Sequence, residues 1–71
     1  MCDVAKLKGK IIECGENQDT LSKKVGMDRS TLNRKLKTGE SFTIGEAKKI
    51  AIALKLTAEE TMKIFFAEIV A

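Results

Sequence analysis

The side chains best suited to binding chemistry lie close together in this sequence, between positions 29 and 37. Two arginines, a serine, an asparagine and a lysine occur there: Arg29, Ser30, Asn33, Arg34 and Lys37. Arginine donates two parallel hydrogen bonds to a flat pair of acceptors, and asparagine donates and accepts at once. This grouping is typical of a surface that recognises a polyanion through hydrogen bonds and charge.

Catalytic and metal-binding side chains are scarce by comparison. The chain has no histidine, which is the commonest general base and metal ligand. Its acidic residues do not group as a catalytic pair, and neither Cys2 nor Cys14 has an evident base beside it. No glycine-rich phosphate loop or metal-ligand spacing occurs. We therefore predict no enzyme activity, cofactor or metal, and two reduced thiols, with Cys14 as a small apolar filler ending the first helix.

The positive charge is concentrated in one segment. The net charge is +3, and residues 18–41 contain six basic and three acidic residues, whereas the flanking segments are balanced. A localised basic face favours a polyanionic partner, although the lysine pairs at 23–24 and 48–49 are expected on solvated helix faces. The length of 71 residues predicts one domain, residues 1–71. No membrane-spanning run or signal pattern occurs, so we predict a cytoplasmic location.

Hydrophobic periodicity predicts five helices and no strand, at about 4–14, 18–25, 29–37, 44–55 and 58–69. The residues expected to face the core are Val4, Leu7 and Ile11; Leu21 and Val25; Leu32 and Leu36; and Ala47, Ile50, Ala51 and Leu54. The apolar residues of the fifth helix are Met62, Phe65, Phe66 and Ile69, and only one face of them is expected to pack on the other helices. Phe42 is expected to anchor the loop between the third and fourth helices to that core.

Capping residues mark where these helices begin and end. Asn17 and Asp28 are candidate N-caps. A threonine followed three residues later by a glutamate predicts capping boxes at Thr43 and Thr57. Gly26 supplies the left-handed backbone that ends the second helix and allows a sharp turn into the third. The two short helices are therefore expected to cross and to share their apolar sides.

The third predicted helix has two distinct faces. At about 100° per residue, Ser30 and Arg34 point almost directly away from its apolar leucine pair. Thr31, Asn33 and Lys37 flank them. An outer face made of hydrogen-bonding side chains, with a crossing helix beneath it, fits insertion into the major groove of double-stranded DNA.

The stretch QDTLSKKVGMDRSTLNRKLKTG, residues 18–39, resembles the helix-turn-helix of the Cro/C1-type (XRE-like) family of phage repressors and related bacterial regulators. The family pattern is a glutamine, a leucine three residues on, a small residue, a glycine and a Ser/Thr-rich recognition helix; here these are Gln18, Leu21, Ser22, Gly26 and Ser30-Thr31. The flanking stretches KLKGKIIECGENQ and FTIGEAKKIAIALKLTAEETMKIFF resemble the rest of a small phage-encoded member. The resemblance implies an all-α, five-helix, lambda repressor-like DNA-binding domain with its helix-turn-helix at about 18–37.

The resemblance also implies roles for individual residues. The implied DNA-binding residues are Gln18, Arg29, Ser30, Thr31, Asn33, Arg34, Lys35, Lys37 and Thr38. Gln18 would contact a phosphate and brace residue 29; the residues at 29 and 30 would meet base edges, those at 33 and 34 would reach bases or phosphates, and those at 35, 37 and 38 would touch the DNA backbone. One departure from the family is that many members have their second apolar residue at the position of Lys35, whereas this chain has it at Leu36.

The C-terminal helix is more apolar than one buried stripe requires. Its surplus residues, Phe65, Phe66, Ile69 and Val70, predict a dimer interface, because exposed apolar patches mark association. The family resemblance implies a homodimer on a near-palindromic operator, and hence a phage or prophage transcriptional regulator. An alternative keeps the fold without DNA: an antirepressor or antitoxin-like module that binds another protein through this helix.

Overall fold

Five α-helices form the described part of the chain, which comprises residues 2–39 and 42–66 of the computed structural model. They are α1 (Val4–Glu13), α2 (Gln18–Val25), α3 (Arg29–Thr38), α4 (Ile44–Ala53) and α5 (Ala58–Phe65). These ranges contain no strand, so the predicted all-helical fold class is confirmed. α4 ends at Ala53, before its predicted end at about 55, and α5 ends at Phe65, so Phe66 is not helical, contrary to the prediction. The predicted positions 67–69 lie outside the described residues.

Reciprocal capping boxes mark where three of the helices begin. Asn17, Thr43 and Thr57 each accept a hydrogen bond from the backbone N–H three residues on, and the side chain there accepts one from the cap in return. The two threonine boxes confirm the sequence prediction. At Asn17 the box closes through the Thr20 hydroxyl at 2.9 Å. Each cap stabilises its helix by about 0.5–2 kcal/mol, so the starts of α2, α4 and α5 are well defined.

A sharp turn connects α2 to α3. Gly26 has the left-handed φ of 69° that ends α2, and the N–H of Met27 donates to the Ser22 carbonyl at 3.0 Å. Asp28 stands at the N-cap position of α3, as expected, but its side chain makes no capping hydrogen bond. A three-residue connection of this kind keeps the two helices in contact.

Leucine and isoleucine side chains from four helices form the centre of the core. The largest fully buried side chains are Leu7, Leu21, Leu32, Leu36 and Ile50. α2 packs against α3 and α4, α1 packs against α3 and α5, and α5 packs against α4. The core thus joins all five helices in one cluster. None of the described helices has the length and apolar character needed to cross a lipid bilayer.

Two residues of the predicted apolar stripes are exposed instead. Cys14 lies at the surface as the C-cap of α1, and 40% of the accessible surface of Met62 remains exposed to solvent. Cys2 and Ile64, which the periodicity did not place in the core, are buried. The N–H of Asp3 donates to the carbonyl of Ile64 at 2.7 Å, which holds the N-terminal segment against α5 and brings Cys2 into the core. This contact joins segments far apart in sequence, so no local pattern predicts it.

Candidate nucleic-acid interface

α2 and the turn after it determine which side of α3 faces outward. Leu32 and Leu36 of α3 are buried in the same cluster as Leu21 and Val25 of α2. Ser22 is also buried, and its hydroxyl donates to the Asp19 carbonyl at 2.8 Å, so its polar atom is satisfied inside the contact. With its leucine side fixed against α2, α3 must present its opposite side to solvent.

The outward side of α3 presents most of the polar side chains predicted for it. Ser30, Asn33, Arg34 and Lys37 are exposed, and the Arg29 side chain retains 70% of its accessible area. Because these residues recur every three or four positions, they form one row along the helix. The structure therefore brings together on one side of α3 the five residues Arg29, Ser30, Asn33, Arg34 and Lys37.

The first turn of α2 lies beside the first turn of α3. Asn17, Gln18, Asp19 and Arg29 line one shallow depression. Gln18 lines the same depression as Arg29, but the ion pair of Arg29 is with Asp19, whose Oδ1 lies 3.9 Å from Nη1. Sequence reasoning missed Asp19. Its i, i+4 spacing to Lys23, which it also contacts at 3.3 Å, was the available signal.

Ser30 is held by the residue that precedes the helix. Its hydroxyl donates to Asp28 Oδ2 at 3.0 Å. Because the hydroxyl hydrogen is used in this bond, the oxygen can accept a hydrogen bond from a partner but not donate one. Asp28 therefore leaves the Ser30 hydroxyl as an acceptor toward other partners, and it does not cap the backbone of α3.

Lys35 points inward, which corrects its predicted role as a DNA-backbone contact. Its side chain retains only 13% exposure, Nζ lies 2.6 Å from Glu46 Oε1, and the ammonium stands 5.4 Å from the centre of the Phe42 ring. Burial raises the pKa of Glu46, but the hydrogen bonds from Lys35 and the Thr43 N–H outweigh it and leave that pKa below its usual range. Lys35 therefore ties α3 to α4.

The two threonines of the predicted set are restricted by the fold. Thr31 is half-buried. Thr38 is exposed, but its hydroxyl donates to the Arg34 carbonyl at 2.9 Å. A phosphate can only accept, so Thr38 would have to give up this bond to contact one.

The residues predicted for a dimer interface are divided by the structure. Phe65 is 7% exposed and meets Phe42 edge to face, with ring centres 5.5 Å apart, so it belongs to the core and offers no exposed ring. Phe66 is half-buried, and Ile69 and Val70 lie outside the described residues. The interface itself stays a prediction.

Reactive and metal-binding groups are arranged without a common centre. Both cysteines are free thiols, and burial raises the pKa of Cys2 to about 11, which keeps it protonated at neutral pH. Among the described residues, no group of three or more histidine, cysteine, aspartate or glutamate side chains could hold a metal ion.

No protein-family model, curated protein or solved structure matches the chain significantly. The likeness to the Cro/C1-type family therefore remains a resemblance of residue types and spacing. Any functional conclusion has to stand on the geometry of α2, the turn and α3.

Proposed function

We propose that this chain is a sequence-specific double-stranded DNA-binding transcriptional regulator, a phage Cro-like or prophage repressor that reads an operator with α3. The observation that supports this best is the exposed row of Arg29, Ser30, Asn33, Arg34 and Lys37 above a leucine pair held by α2. This row combines two guanidinium groups, which donate paired hydrogen bonds, with an amide and a hydroxyl. That combination favours a face that binds a hydrogen-bonding partner over a face that is only solvated.

In this proposal α2, the turn at Gly26 and α3 act as a helix-turn-helix. α2 crosses the DNA backbone with Gln18 near a phosphate, and α3 lies in the major groove. A helix of ten residues is about 15 Å long, which spans roughly four base pairs. The exposed row is therefore long enough to read one half-site.

Each side chain of the row has a suitable partner on the DNA. Arg29 and Arg34 can bind guanine through paired hydrogen bonds, and Asn33 can bind adenine in the same way. Ser30, whose hydrogen is donated to Asp28, suits an amino group of adenine or cytosine. Lys37 suits a phosphate and adds affinity that falls with salt.

Regulation would follow from occupancy. A homodimer on a near-palindromic operator would exclude polymerase or a rival repressor from the same DNA. The protein would need no cofactor and would act in the cytoplasm of a bacterial host. The antirepressor or antitoxin-like alternative loses Phe65 as an exposed contact and would have to depend on Phe66, Ile69 and Val70.

Selection of duplexes from a random pool, followed by fluorescence anisotropy at two salt concentrations, tests the proposal. Wild type should enrich a sequence with two-fold symmetry, and its affinity should fall with salt. Arg34→Ala should cost about 1–3 kcal/mol and relax the preference at one base pair of each half-site.

Lys63→Ala is the matched control, because it also removes one exposed positive charge but lies on α5, which packs on α1 and α4. It should change affinity little and leave the sequence preference intact. Failure of wild type to enrich any sequence, with weak binding that is indifferent to Arg34, would overturn the proposal and direct attention to a protein partner.

A further inference from the structure

One carboxylate lies between two cations where α2 and α3 begin. Asp19 Oδ2 is 3.3 Å from Lys23 Nζ, and Oδ1 is 3.9 Å from Arg29 Nη1. Lys23 lies one turn further along the same helix, so it holds the carboxylate on α2. The contact with Arg29 is different, because it crosses from α2 to the helix proposed to read bases.

The backbone that bears this carboxylate is fixed. Asp19 lies in the first turn of α2, between the two residues of the Asn17–Thr20 capping box. Its carbonyl accepts a hydrogen bond from the hydroxyl of the buried Ser22. Arg29, by contrast, is at the first position of α3 and its side chain is 70% exposed, so its own helix constrains it little. A fixed anion beside a long, exposed guanidinium can select among the orientations of that guanidinium.

We infer that Asp19 is a positioning residue that holds the Arg29 guanidinium toward a base edge and away from phosphates, an inference that rests on the proposed DNA-reading function. A guanidinium has five N–H donors, and a guanine edge uses two, which leaves donors for Asp19. Without Asp19, Arg29 would be drawn to the phosphates, which carry most of the negative charge of DNA. Asp19 itself also repels phosphates.

The inference predicts opposite effects on two kinds of binding. Removing the charge of Asp19 should raise affinity for unrelated duplexes, because repulsion is lost and Arg29 can bind phosphate. It should also lower discrimination at the base pair that Arg29 reads. Stability should hardly change, since exposed ion pairs contribute little to folding.

The test compares Asp19→Asn with Glu59→Gln. The control removes the same charge from another exposed i, i+4 pair, with Lys63 at 3.0 Å on α5, which packs on α1 and α4. Affinities are measured for the selected duplex, for duplexes altered at each base pair, and for an unrelated duplex. The ratio of selected to altered affinity at one base pair should fall about two- to fivefold for Asp19→Asn, the scale that exposed ion pairs reach. It should stay constant for Glu59→Gln.

A second measurement reports on positioning without DNA. The Arg29 side-chain Nε–H signal in NMR should shift and broaden in Asp19→Asn and stay unchanged in Glu59→Gln. In an Arg29→Met background, Asp19→Asn should no longer alter discrimination, because the residue it positions is gone.

The outcomes separate this inference from the proposed function. A wild type that binds every duplex equally would overturn both. A wild type that discriminates, together with an Asp19→Asn variant that discriminates equally well and leaves the Arg29 signal unmoved, would overturn the inference alone. Lower discrimination that persists in the Arg29→Met background would also overturn it, since Asp19 would then act through another group.

Discussion

Lys35 differs from the other basic residues of α3 because its charge is used inside the molecule. It meets a carboxylate at 2.6 Å and an aromatic ring at 5.4 Å, and both partners come from the segment that leads into α4 or from α4 itself. Glu46 has a second duty, since its Oε1 also accepts the Thr43 N–H at 2.8 Å. The pair therefore ties the end of the proposed reading helix to the start of the next helix.

Replacing Glu46 with glutamine removes the negative charge and keeps a side chain that can complete the capping box. Glutamine can still serve the capping box, so Glu46→Gln should lose only the attraction to Lys35 and should destabilise by about 1–2 kcal/mol at pH 7. Glu60→Gln is the matched control, with the same box position and a 2.5 Å ion pair to Lys10, but with side chains of 32% and 26% exposure against 23% and 13%. Urea unfolding should rank the loss at Glu46 above that at Glu60. An equal or smaller loss at Glu46 would contradict a structural role for Lys35.

The same variant should change how stability depends on pH. The pKa of Glu46 is lowered in the folded state, so its stabilisation is present above the unfolded pKa, about 4.3, and is lost as pH falls through the folded pKa. The difference in unfolding free energy between wild type and Glu46→Gln should be constant above about pH 5 and should shrink below it. A difference that persists at pH 2 would point to altered packing rather than lost charge.

At the scale of the element, the turn between α2 and α3 depends on one backbone conformation. Gly26 has φ of 69°, and a Cβ placed on it would meet no atom within 4 Å, so the cost of Gly26→Ala comes from backbone strain alone. We expect a loss of about 1–2 kcal/mol. Gly9 lies inside α1 with equally open space, and Gly9→Ala should instead stabilise by about 0.5–1 kcal/mol. Thermal unfolding of the two variants should therefore move in opposite directions. A gain for Gly26→Ala would mean that the left-handed turn is not required.

Local signals predicted the elements better than the directions of particular side chains. The capping boxes at Thr43 and Thr57 and the turn at Gly26 were readable, because each depends on neighbours within four residues. Lys35 was not, because a long side chain near the edge of a helix can turn either way, and here the choice is made by Phe42 and Glu46 across a loop. The apolar run of α5 did not indicate which of its residues face the core, because Phe65 is placed there by packing against Phe42, which is distant in sequence.

The exposed face of α3 was predictable from its leucine pair alone. Two buried residues four positions apart fix the rotation of a helix, and the polar residues on its opposite side then have to face outward. The contact of Asp19 with Arg29 was not predicted, because it results from the packing of α2 against α3. Proximity between two helices is a property of the tertiary structure that periodicity within one helix does not contain.

At the scale of the whole molecule, internal ion pairs change how the charge of segment 18–41 is distributed. Three of its lysines pair with carboxylates: Lys23 with Asp19, Lys24 with Glu16, and Lys35 with Glu46. On the outward side of α3, Arg29 pairs with Asp19 as well. For the proposed DNA binding, salt sensitivity should therefore depend on the positions of the basic residues more than on the total charge.

The size of the molecule constrains how two copies can share an operator. The Cα atoms extend over 30 × 22 × 20 Å, and half-sites one helical turn apart are separated by about 34 Å. With side chains added, two copies on one face of the duplex come within reach of each other. On half-sites half a turn out of phase they would lie on opposite faces and could not touch.

This geometry predicts a phase dependence for the proposed dimer. Inserting about five base pairs between the half-sites of the selected operator should abolish cooperative binding, because it rotates one half-site by about half a turn. Each half-site should still be bound independently, with its own sequence preference. Anisotropy titrations on the original and expanded operators, with a single half-site as the control, measure the cooperative gain directly. Cooperativity that survives the insertion would exclude a side-by-side dimer of this compact chain, and a wild type without cooperativity on either operator would mean that it binds as a monomer.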